Sequence, residues 1–82
     1  PSQDDPKRVA AWHRRRRQVG TRIQKLRIER GLTQEQLALL SGVSRNVLMD
    51  IEHGRRGILH ERLFDIALAV GVSASDLLEG IR

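Results

Sequence analysis

Between Gln34 and Arg56 the chain carries side chains suited to hydrogen bonding rather than to covalent chemistry: Gln34, Ser44, Arg45, Asn46, Met49, Asp50, His53, Arg55 and Arg56. At about 100° per residue, Asn46, Met49, Asp50 and His53 fall on one side of a helix, at i, i+3, i+4 and i+7, opposite Leu48 and Ile51. Arginine donates two parallel N–H bonds and an asparagine amide both donates and accepts, so Arg45 suits the exposed edge of guanine and Asn46 that of adenine. Catalysis would need convergent groups in a pocket, and the serines, histidines and acids here form no catalytic motif and no glycine-rich phosphate loop. His13, His53 and His60 lie far apart with no H-E-x-x-H arrangement, and the chain has no cysteine, so neither a metal nor another cofactor is expected.

The elements that must position these residues are two short helices and one tight turn. Thr33 is an N-cap and Gln36 stands three residues on, a capping box that starts a helix at Gln34. Ala38 has a one-carbon side chain where a second helix must cross. Gly42 takes a left-handed conformation without steric penalty and so ends the first helix and turns the chain. Ser44 then caps the second. The flanking segments read as supports. A helix is expected from about Gln18 to Arg30, carrying Val19, Ile23 and Leu26. Another spans about Glu61 to Val70, with Leu63, Ile66, Ala67 and Val70 as its buried stripe. A last one is capped by Ser73, with Asp76 placed like a capping-box acid and Leu77 and Leu78 following. Pro1 to Asp5 reads as disordered, and Asp5-Pro6 as a helix start. Beyond it Val9 and Trp12 keep helical spacing, but Arg15 and Arg16 interrupt the apolar stripe and Gly20 weakens it. Residues 1–17 are therefore expected to form a separate basic extension, a short helix at most, ahead of a domain over 18–82. The fold class is all-α, with five helices and no strand.

With 82 residues there is room for one domain, burying about 60 to 65% of its unfolded surface and helped by dimerisation. The net charge of +5 is uneven: residues 1–30 hold ten Lys/Arg against three Asp/Glu, giving +7, and 31–82 hold five against seven, giving −2. Basic segments bind nucleic acid or anionic membrane surfaces, although a run such as Arg14 to Arg17 is as often a solvated face. Only Trp12 and Phe64 are aromatic, which speaks against the stacking platforms used on single strands and RNA. A lone exposed tryptophan is costly, so Trp12 is expected to pack on this domain or on a partner. No apolar run reaches the length of a membrane span and no signal peptide is visible, which fits a cytoplasmic location.

The segments LTQEQLA, SGVSRN, IEHGRR and FDIALAVGVSASDLL, running without a gap from about Gly20 to Leu78, closely resemble the helix-turn-helix of the phage Cro/repressor and xenobiotic-response-element family of transcription regulators. That resemblance implies a lambda-repressor-like five-helix bundle that binds double-stranded DNA as a repressor-like homodimer on a near-palindromic operator, in a prokaryotic or phage-infected cell. Its third helix would enter the major groove and its second would cross the backbone. Ser44, Arg45, Asn46, Met49 and Asp50 are then the base-contacting candidates, and Gln34, His53, Arg55 and Arg56 the phosphate-contacting ones. Asp50 would accept from a cytosine amino group or hold Asn46. In the family the acid at Glu52 holds a neighbouring basic side chain, with Arg45 or Arg55 as candidates here. Where relatives commonly place a proline and a capping Ser or Thr, this chain has Ile58 and Leu59, so the start of the fourth helix departs from the pattern. The competing function is an antitoxin-like module that neutralises a protein partner, for which the Trp12 segment is the candidate surface.

Overall fold

The computed structural model describes residues 5–82, so the disorder expected of the first residues lies outside it except at Asp5. Five helices follow in order: α1 (Pro6–Glu29), α2 (Gln34–Ser41), α3 (Arg45–Glu52), α4 (His60–Ala69) and α5 (Ala74–Leu78). Each helix sends at least one fully buried side chain to a common core: Ile23, Leu37, Leu48, Ile66 and Leu77 are all 0% exposed. The stripe of α4 is confirmed in Ile66, Ala67 and Val70, with Leu63 half-buried at its edge.

Helix α1 begins where Asp5 accepts from the Lys7 amide at 2.8 Å, with Pro6 in the first turn. It then runs for 24 residues without a break. The separate extension expected ahead of Gln18 is thus corrected: it is continuous with the first domain helix, and residue 17 lies inside α1. No proline follows Pro6 in this stretch, and the one weak position is Gly20. Glycine in a helix interior costs about 1 kcal/mol, but Gly20 is buried where α1 crosses the end of α3. A Cβ there would overlap the carbonyl oxygen of Ile51 and lie 2.8 Å from that of Glu52. The glycine serves a close helix crossing. It is not a break. Trp12, expected to pack, is instead exposed on α1, with 36% of its surface accessible, and does not join the core of this domain.

The caps form as the sequence implies. Thr33 and Gln36 exchange hydrogen bonds of 2.8 and 3.1 Å, Gly42 sits at φ 74° as the cap of α2, and the Ser44 hydroxyl accepts from the Val47 amide at 3.2 Å. Ser73 and Asp76 form a second capping box, with both bonds at 3.0 Å. The Ser73 amide, and then its hydroxyl, hold the Asp76 carboxyl below the usual carboxylate range. Helix α4 departs from this scheme. It begins at His60, one residue before the expected Glu61, and its N-cap Leu59 makes no side-chain hydrogen bond. Ile58 packs against the core instead, so burial rather than a cap anchors that start. Two arginines close helix ends from afar. Arg30 Nε donates to the Val70 carbonyl at 2.9 Å, and Arg22 donates to the carbonyls of Leu77 and Glu79 at the end of α5. Cations at helix C-termini are favoured by the helix dipole.

Candidate nucleic-acid interface

Helix α3 has one apolar and one polar side, as its residue spacing requires. Leu48 and Ile51 are buried, Met49 and Asp50 are half-buried, and Ser44, Arg45, Asn46 and His53 are exposed. At its N-terminal end Arg45 and Asn46 take part in no ion pair or side-chain hydrogen bond among the described residues, so both keep their hydrogen-bonding groups for a partner.

The C-terminal end of α3 is tied down. Glu52 is 5% exposed and is held bidentately by Arg27, Nε to Oε2 at 2.7 Å and Nη2 to Oε1 at 3.0 Å. The remaining Arg27 nitrogen donates to the Leu32 carbonyl at 2.9 Å. Gln34 joins the group, its amide nitrogen donating to Glu52 Oε1 at 3.2 Å. The expectation that Arg45 or Arg55 would pair with Glu52 is therefore corrected: the partner comes from α1, across the interior. Removing a charge from water is costly unless it is matched by a partner and hydrogen bonds, and among the described residues Arg27 is the one basic side chain that reaches the buried carboxylate. Sequence reasoning overlooked Arg27. Its signal was present, since Gly20, Ile23 and Arg27 share one buried stripe while Glu52 sits on the inward side of α3. A buried base facing a buried acid is a pair.

Asp50 is also engaged, though not with Asn46. Its carboxylate accepts from Arg55 Nε at 3.0 Å and lies 3.8 Å from Arg56 Nε. Both arginines stay about half exposed. His53 Nδ1 lies 2.8 Å from the Met49 carbonyl, to which the ring donates when Nδ1 carries the proton. The nine candidate residues thus occupy α3, the N-terminus of α2 and the loop after α3. Within that set Gln34 has one N–H committed inward, and Asp50, Arg55 and Arg56 form a connected group.

A family model described as a helix-turn-helix domain matches residues 20–82. The chain is 41% identical over 63 residues to the uncharacterized HTH-type transcriptional regulator y4dJ of Sinorhizobium fredii, covering 77% of this chain and 82% of that protein. Among solved structures it is similar to the restriction-modification controller protein C.AhdI from Aeromonas hydrophila, with a TM-score of 0.74 and 32% identity over 76% of this chain and 94% of that one. It is likewise similar to the clp gene regulator ClgR from Corynebacterium glutamicum, with a TM-score of 0.75 and 33% identity over 78% and 68% of the two chains.

Proposed function

Since this chain belongs to the helix-turn-helix family of DNA-binding transcriptional regulators, of the Cro/CI type, we propose that it reads an operator with α3 in the major groove and represses transcription as a homodimer. The observation that carries this reading is the free pair Arg45 and Asn46 on the first turn of α3, the part of a recognition helix that reaches base edges. Bidentate bonds from Arg45 to guanine and from Asn46 to adenine supply the specificity, with Ser44, Met49 and Asp50 completing the base-facing surface. Gln34, at the N-terminus of α2, adds its second amide N–H and the free backbone N–H groups of that helix to a phosphate. His53, Arg55 and Arg56 take phosphates at the other end of α3.

The dimer is supported by an apolar surface on α4. Phe64 is 55% and Leu68 77% exposed, and four residues apart they stand on one helix face. Exposed large apolar groups that cluster mark contact surfaces, and a second copy of the chain is the occupant this reading requires. Selection of bound sequences from a random duplex library tests the whole proposal. A near-palindrome with half-site centres about 10 to 10.5 base pairs apart is expected. A single unrepeated element would remove the dimer from the reading, and no enrichment at all would remove the base contacts.

A further inference from the structure

The run Arg14 to Arg17 lies outside the matched family region, which begins at residue 20, and its four side chains are not equivalent in the structure. Arg17 packs backbone to backbone against the loop that follows α3: a Cβ at Gly54 would lie 2.9 Å from Arg17 Cα and 2.7 Å from its Cγ. Arg16 reaches the same loop, its guanidinium 3.6 to 3.8 Å from where a Gly57 Cβ would stand, and it lines one pocket together with Arg15 and Arg56. The Gly20 crossing beneath α3 sets this register, and Gly54, at φ 70°, has no side chain to push the helix away. Arg14 has no part in that pocket and lines, together with Arg17, a groove beside Gly80 and Ile81.

Arg16 and Arg17 are thereby brought to Arg55 and Arg56 from a segment about 40 residues distant in sequence. The one carboxylate paired with any of these four arginines among the described residues is Asp50, which leaves three positive charges uncompensated. Arg22 and Arg30 are held by backbone carbonyls and Arg27 by Glu52 inside the fold, whereas the four arginines of the cluster keep side chains at the surface beside the loop. Like charges held together in this way repel one another, and a polyanion that bridges them relieves the repulsion.

We propose that Arg16, Arg17, Arg55 and Arg56 form one composite phosphate-binding surface, through which the N-terminal half of α1 extends the grip on duplex DNA beyond the family domain, while Arg14, which touches neither the loop nor the pocket that Arg15, Arg16 and Arg56 line, stays a solvated face. This rests on the DNA-binding reading above and adds contacts that reading does not contain. The test compares the pair Arg16→Gln/Arg17→Gln with the single variant Arg14→Gln in the full chain, on a selected duplex and on a random one. The first pair should lower the slope of log K against log salt by about two, roughly one for each lost contact, and by the same amount on both duplexes. Arg14→Gln should leave the slope at the parent's value. Phosphate ethylation interference should show the first pair losing positions adjacent to those lost by Arg55→Ala/Arg56→Ala. Arg16→Lys/Arg17→Lys should restore the slope, which separates charge from packing. An unchanged slope in the first pair, or a loss per arginine just as large in Arg14→Gln, overturns the composite surface while DNA binding by the parent stands. A parent chain with no salt-dependent binding to any duplex overturns both readings.

Discussion

The two ends of α3 are built on opposite plans. At the N-terminal end the backbone is held by local means, the Ser44 cap and the Gly42 turn, and the side chains of Arg45 and Asn46 are left free. At the C-terminal end nearly every polar side chain is already engaged, Glu52 with Arg27 and Gln34, and Asp50 with Arg55 and Arg56. A helix that must read base edges needs unspent donors and acceptors. A helix that must hold its angle in a groove needs a rigid anchor. On the proposed reading the contrast divides recognition from positioning along eight residues, and substitutions at the two ends should fail in different ways.

The largest effect is expected at the anchored end. Arg27→Ala strands a buried carboxylate, which typically costs about 3 to 5 kcal/mol; thermal melting should show the loss, and Arg27→Met/Glu52→Leu should recover most of it. A small shift in the single variant would mean that Glu52 is held by something other than Arg27. Next comes the turn that supports the free end. Gly42→Val places a β-branched residue at positive φ, and Ala38→Leu overfills the packed face of α2; each should cost about 1 to 3 kcal/mol, read as a lower melting temperature with DNA binding lost in proportion. Either variant melting like the parent would contradict the tight crossing.

Substitutions at the free end should leave stability alone. Arg45→Ala or Asn46→Ala should lower operator affinity by about 1 to 3 kcal/mol and relax preference at one base position in each half-site, with melting unchanged. Arg55→Ala should instead weaken specific and random duplexes by similar factors. If selection with Arg45→Ala returns the parental sequence while Arg55→Ala returns a new one, the roles of the two ends are reversed. The smallest effect is expected at Asp50→Asn. Exposed ion pairs contribute about 0 to 1 kcal/mol, so stability should hardly move, whereas releasing Arg55 and Arg56 should raise affinity for random duplex and steepen its salt dependence. An unaltered random-duplex affinity would show that Asp50 does not restrain the two arginines.

Local chemistry made much of this molecule legible from its residues. The Thr33–Gln36 and Ser73–Asp76 boxes, the Gly42 turn and the Ser44 cap each involve groups within four residues of one another, so the order and boundaries of α2, α3 and α5 follow from residue type and spacing. The polar and apolar sides of α3 follow for the same reason. What only the tertiary structure decided is every choice that depends on how helices cross. Gly20 looked like a weak point and is a contact point, because α3 lies against it. Arg27 finds Glu52 across 25 residues of sequence, and Asp50 takes Arg55 rather than Asn46, because desolvation and reach select partners in space and neither is written in local spacing. Arg16 and Arg17 differ from Arg14 for the same reason: four like residues in a row become unequal only when α1 is laid against the loop at Gly54 and Gly57.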